Sequence, residues 1–191
     1  MRKIITTIAL AFLLAFSTIS TSYAADVYLM RGLFGFAWQK DIKGNLRGVY
    51  KMQADLEKMG HKVHFYCWQP RCEKQIIDEI RKHPNRPFAI GGHSKGGDAT
   101  TEIGRELNKY GIKIPYAFII DAPIPVPLTP NFRKVDNFYQ FNDWRNPILK
   151  PQSKSTILTQ FNYRGKLGHI ALADDLKLQK RIYQQINALG K

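Results

Sequence analysis

At 191 residues, 44% apolar and 23% charged, the chain has room for one domain with a buried core and is neither disordered nor fibrous in composition. Lysine and arginine outnumber aspartate and glutamate by 29 to 15, a formal +14 that favours anionic surfaces. No basic run exceeds a few residues and no nucleic-acid module is recognisable, so no specific nucleic-acid partner is expected, and the charge is equally that of a solvated, lysine-rich surface.

The N-terminus opens with Arg2 and Lys3, continues almost wholly apolar over residues 4–16, and turns small and polar over 17–25. Ser22-Tyr23-Ala24 fits the small-x-small rule, so residues 1–24 are expected to be a signal peptide, cleaved after Ala24 or one residue later after Ala25. The apolar run is shorter than the roughly 18 residues a membrane-spanning helix needs. The mature domain, residues 25–191, then keeps 27 basic against 15 acidic residues, net +12, and is expected in the periplasm or outside the cell. In that oxidising setting Cys67 and Cys72 are expected to form a disulfide, with two free buried thiols as the alternative. Two cysteines cannot make a four-ligand zinc site, and no histidine has matching spacing, so no metal is expected.

Residues 26–31, DVYLMR, read as a short buried strand ended by Gly32. Over 38–59, Val49, Met52, Leu56 and Met59 recur with helical period, and Gly60 supplies a stop. Residues 61–68 read as a second strand and 72–82 as a second helix with Ile76, Ile77 and Ile80 on one side. Residues 87–91 form a third strand, followed by a helix over 95–110 with Ala99, Ile103 and Leu107 every fourth residue. A fourth strand, PYAFIID over 115–121, leads into the proline-rich loop APIPVPLTP. Strands over 135–142 and 155–163 and a closing helix over 174–189 complete the chain. Strands that alternate with helices, and are continuously apolar, indicate a parallel sheet covered on both faces. The expectation is one α/β domain.

Gly92-His93-Ser94-Lys95-Gly96 satisfies G-x-S-x-G with a strand before it and a helix after it, the context that gives this motif meaning. A serine at such a turn has strained backbone angles, and residues two away on either side come close in space. Glycine at 92 and 96 avoids their clash and leaves the Ser94 hydroxyl exposed, while Gly97 lets the helix start pack closely. A phosphate-cradling loop is excluded because Lys95 precedes the glycine pair and no Ser or Thr follows in register.

A serine hydroxyl is a weak nucleophile until a base takes its proton. His93 adjoins the serine, with its side chain expected to point away from the cleft. His61 and His64 belong to an early strand, and His83 to a helix end. His169, in the loop GKLGHI between the last strand and the last helix, shares the serine's sheet edge and is the expected base. The base needs an acid to fix its tautomer. Asp121 ends a strongly apolar strand and is favoured, because burial there requires a partner; Asp143 is the alternative.

From 26 to 189 the chain resembles the α/β-hydrolase superfamily, in particular its small lid-less lipase-like or cutinase-like members. Ser94 matches the family's nucleophile elbow and His169 its histidine after the last strand. Asp121-Ala122-Pro123 resembles relatives whose acid follows the strand after the elbow strand, while the commoner family position falls at Asp143. The resemblance implies a minimal single-domain α/β-hydrolase, with about six mostly parallel strands and helices on both faces. It also implies an oxyanion hole from the amides of Lys95 and of Leu33, or alternatively Phe34, although the family often has His-Gly where this chain has Arg31-Gly32.

Such a site would cleave carboxylic esters through an acyl-enzyme on Ser94 and would need no metal or cofactor. Leu33, Phe34, Phe36 and Trp38 in one loop, and Ile124, Val126 and Leu128 in another, are expected either to hold an acyl chain or lipid or to complete the core. The expected substrate is a small-molecule or lipid ester, with an anionic lipid surface as a partner. Thioester or amide cleavage by the same residues, and a noncatalytic exported binding module, are the alternatives.

Overall fold

A computed structural model describes residues 25–33, 39–140, 148–164 and 167–189. The expected signal peptide 1–24, together with Phe34, Phe36, Trp38 and Asp143, lies outside the described residues.

Six strands form one sheet: β1 Asp26–Met30, β2 Lys62–Tyr66, β3 Phe88–His93, β4 Tyr116–Ile120, β5 Lys134–Tyr139 and β6 Ile157–Asn162. Their order is β2-β1-β3-β4-β5-β6, and every neighbouring pair is parallel, where mostly parallel pairing was expected. Four described helices cover it: α1 Gly48–Lys58, α2 Pro70–Lys82, α3 Lys95–Lys109 and α4 Leu176–Asn187.

The strand sequences follow from this layering. Side chains alternate between faces along a strand, and both faces are covered, so β1 and β4 are buried at every position and read as unbroken apolar runs. On one face Met30, Ile90 and Ile119 pack with Ile76 and Ile80 of α2 and Ile103 and Leu107 of α3. On the other, Val27, Leu29, Phe118 and Ile120 pack with Met52 and Leu56 of α1 and Ile182 and Ile186 of α4. Each such side chain contributes roughly 2 kcal/mol when fully buried, so neither helix layer is dispensable.

Three helix starts differ from expectation: α2 begins two residues early, at Pro70, a residue that suits the first helical position, and the other two shift because a short acidic side chain captures backbone amides. The first helix begins at Gly48 rather than near residue 38. Ahead of it the Asp41 carboxylate accepts the amides of Lys43 and Asn45, each at 2.8 Å, and a turn carries the chain back from Lys40 to pair with Leu46. A side chain that caps its own turn competes with helix formation. The last helix was expected from residue 174. A short 3₁₀ turn, Ala171–Asp174, precedes it instead, and Asp175 caps α4 by accepting the Leu178 amide at 2.8 Å.

Cys67 and Cys72 are joined in a disulfide that ties the end of β2 to the first turn of α2. Among the described residues no helix is long and apolar enough to cross a membrane. Because all strands run the same way, the segments leaving β1, β3, β4 and β6 emerge at one edge of the sheet, where Gly32, Ser94, Asp121 and His169 lie.

Candidate active site

Ser94 links β3 to α3 with φ +57° and ψ −125°, a conformation that costs a non-glycine residue of order 1–3 kcal/mol. Neighbouring structure holds it there. The Ser94 amide donates to the Ile120 carbonyl at 2.8 Å, and the Ser94 carbonyl accepts the Gly97 amide at 2.8 Å. A Cβ on Gly92 would lie 2.7 Å from the Gly96 backbone, as the motif predicts. The same atom would lie 2.6 Å from the Met30 carbonyl oxygen, and a Cβ on Gly96 would lie 2.5 Å from it. The glycine pair therefore also admits the end of β1, a neighbour that local sequence does not reveal.

Above this turn stands His169. Its Nε2 is 2.8 Å from Ser94 Oγ, and its Nδ1 is 2.6 Å from Asp121 Oδ2. An ionised carboxylate only accepts, so the proton sits on Nδ1 and leaves Nε2 free to accept from the serine hydroxyl. Asp121 is fully buried and turns sharply at the end of β4 with φ +46°. Its amide donates to the Phe138 carbonyl at 2.7 Å, and its carboxylate accepts the Gln140 amide at 3.2 Å and Gln140 Nε2 at 3.4 Å. These partners offset the burial of the charge and fix the carboxylate beneath the imidazole. Of the two candidate acids, the structure places Asp121 beside His169; Asp143 lies outside the described residues.

His93 corrects the sequence reading. Rather than pointing away from the cleft, its ring lies 4.7 Å from that of His169, and its Nε2 is 2.8 Å from the His169 carbonyl oxygen. A carbonyl only accepts, so His93 carries its proton on Nε2 and tethers the loop that presents His169. Burial, and then the nearby charge His169 would carry, push the His93 pKa down to about 4. It is a neutral support at ordinary pH.

The cleft at Ser94 encloses about 120 Å³. Leu33, Val49, Ile170 and Ala173 give it apolar walls, and Tyr50 stands beside them. Its far side is closed by Arg47, whose Nε and Nη2 donate to Asp174 Oδ2 at 2.9 and 2.5 Å, while Asp174 Oδ1 accepts the Gly48 amide at 2.6 Å. Sequence reasoning missed Arg47, Tyr50 and Asp174. The only available signal was the Asp174-Asp175 pair, which reads as a helix cap, a role that Asp175 alone takes.

The expected oxyanion donors flank the serine. Lys95 is the first residue of α3, where amides have no acceptor within their own helix. At Gly32 a Cβ would lie 2.9 Å from Ser94 Cβ, so the backbone leading to Leu33 passes directly against Ser94. The alternative donor Phe34, and Phe36 as a substrate contact, lie outside the described residues. Neither Ile124 nor Val126 is among the described residues lining this cleft. The Ile124 amide donates to Asp98 Oδ1 at 2.9 Å and the Val126 amide to Thr101 Oγ1 at 3.0 Å, which lays their loop along α3 instead. Leu128 is fully buried and belongs to the core. Among the described residues no group of three or more His, Cys, Asp or Glu side chains could hold a metal ion.

No family model matches the chain. Among solved structures, the thioesterase domain SrfTE, described in the cyclization of the lipopeptide antibiotic surfactin, superposes with a TM-score of 0.55 at 10% identity, covering 87% of this chain and 93% of that one. A cutinase-like protein from Cryptococcus sp. superposes with a TM-score of 0.52 at 14% identity, covering 88% and 98%. At the sequence level, the conidial pigment polyketide synthase PfmaE of Pestalotiopsis fici is 37% identical over 57 residues, 30% of this chain. A norsolorinic acid synthase of Dothistroma septosporum is 27% identical over 85 residues, 40% of this chain. The matched segments span only 3% and 4% of those much longer synthases.

Proposed function

On the α/β-hydrolase fold that this chain has, we propose an exported serine hydrolase that cleaves carboxylic esters, lipase-like or esterase-like, through a Ser94-His169-Asp121 triad. The observation that carries the reading is the relay itself, 2.8 Å from Ser94 Oγ to His169 Nε2 and 2.6 Å from Nδ1 to Asp121. Ser94 Oγ attacks the acyl carbonyl as His169 Nε2 takes its proton, and Asp121 stabilises the imidazolium. Negative charge on the carbonyl oxygen is met by the amides of Lys95 and Leu33, each worth about 3 kcal/mol in the transition state. His169 then protonates the leaving group, and afterwards activates water to release the acyl group from Ser94.

Export is part of the proposal and is supported by the Cys67–Cys72 disulfide, a bond that persists in oxidising compartments. The similarity to SrfTE favours thioester cleavage as a second reading, since the same residues serve it and only the leaving atom differs.

The test is labelling with a neutral fluorophosphonate, read by intact mass and peptide mapping in wild type, Ser94→Ala and His169→Ala. One adduct on Ser94 that depends on His169 is expected, on a chain shortened by residues 1–24. A matched pair of alkyl ester and alkyl thioester substrates then ranks the two leaving atoms. A folded protein without an adduct would leave a noncatalytic binding module on the same scaffold as the better reading.

A further inference from the structure

The backbone at Gly32 and Leu33 has a cleft on each side. One is the small apolar cleft at Ser94. The other, about 370 Å³, is lined by Arg31, Tyr66, Trp68 and Arg71 together with Gly32 and Leu33. We propose that this second groove binds the phosphate of an anionic leaving group, while the apolar cleft takes the acyl side of the scissile bond. The inference rests on the serine-hydrolase reading of Ser94.

Position is the first argument. A Cβ on Gly32 would stand 3.4 Å from Ser94 Oγ, so the partition between the two clefts is a single backbone thickness beside the nucleophile. A substrate whose carbonyl lies at Ser94 can place its two halves on either side of that partition.

Charge is the second. Arg47, across the apolar cleft, is neutralised by Asp174. Among the described residues neither Arg31 nor Arg71 has a carboxylate partner. Among the described residues the Arg31 side chain reaches the Tyr50 hydroxyl, at 3.5 Å from Nη1. Arg71 is exposed. Among the described residues, two arginines without a carboxylate partner line one groove, and their planar donor forks suit phosphate oxygens better than they suit a neutral headgroup.

Rigidity is the third. The Arg31 amide donates to the Tyr66 carbonyl at 3.1 Å, and the Cys67–Cys72 disulfide pins the start of α2, which carries Arg71, to the end of β2. The two arginines therefore stand on segments tied to one another, and ordering them around an anion costs less than it would on free loops.

The experiment measures how fast Ser94 is labelled by a neutral fluorophosphonate in the presence of glycerol 3-phosphate or of glycerol, in wild type, Arg71→Ala and Arg31→Gln. Glycerol 3-phosphate is expected to slow labelling of the wild type, with a half-protecting concentration that rises roughly tenfold in either variant, the effect of losing one hydrogen bond to a charged group. Glycerol at equal concentration is expected to protect much less. Labelling without protectant reports that each variant is folded with a working nucleophile. Phosphatidylglycerol vesicles, against phosphatidylcholine vesicles, form the second arm: stronger protection per phosphate than glycerol 3-phosphate assigns the phosphate to a lipid headgroup, and weaker protection to a soluble substrate. Normal labelling of Ser94 with no protection, or with equal protection in wild type and both variants, would overturn the groove assignment alone. Absence of labelling in the wild type would overturn the hydrolase reading and this inference with it.

Discussion

His93→Gln tests the neutral imidazole beneath the base. In the folded protein the His93 pKa falls from its ordinary 6.5 to about 4, through burial first and then the charge His169 would carry when protonated. At 1.36 kcal/mol per pH unit this corresponds to about 3 kcal/mol. The ring keeps a margin open to the cleft, so about 2 kcal/mol is the expected size. The folded-state value lies below the unfolded one, so the unfolded chain takes up the proton first as pH falls. The stability that depends on His93 being neutral is complete above pH 6.5 and is lost as pH descends toward 4. Glutamine keeps an N–H that can donate to the His169 carbonyl but cannot take up a proton. Urea unfolding of both proteins across that window should show wild type losing stability more steeply, by about 2 kcal/mol in total. Parallel curves would refute the claim that this imidazole is buried and neutral.

Under the proposed triad, Asp121→Asn keeps the shape of the acid but can no longer enforce the tautomer of His169. With Nδ1 2.6 Å from the carboxylate in the wild type, kcat on a reactive ester should fall by roughly 10³–10⁴ with little change in KM, and a loss under tenfold would contradict the assigned role. Gly96→Ala places a Cβ 2.5 Å from the Met30 carbonyl oxygen, a backbone atom with no rotamer to yield. Separating β1 from the start of α3 should cost about 2 kcal/mol or more, a fall of roughly 4–8 °C in Tm, with loss of Ser94 labelling. An unchanged melting curve would show that the elbow is looser than the contact implies.

The element types were legible because their causes are local. Continuous apolar runs at β1 and β4 follow from two covered faces, and Ile103 and Leu107 follow from helical period. What defeated the reading at residues 39–47 was also local but finer: the Asp41 side chain outcompetes the helix by capping its own turn. Ile124 and Val126 lie off the cleft at Ser94 for a different reason. Apolar residues among prolines suggest a surface loop, but Asp98 and Thr101 on α3 decide along which helix that loop lies.

The sequence by itself determined the α/β alternation and the serine on its glycine-flanked turn, each set by sterics or periodicity within a few residues, and it put a histidine in the last loop, at the edge which that alternation implies. Only the tertiary structure decided that Asp121 meets His169, that His93 supports it, and that Asp174 neutralises Arg47 while Arg31 and Arg71 line a groove with no carboxylate partner among the described residues. Those are distances between residues far apart in sequence, the last pair among them separated by 127 positions in the case of Arg47 and Asp174. Parallel crossovers bring them to one edge, and no local pattern records which partners arrive there.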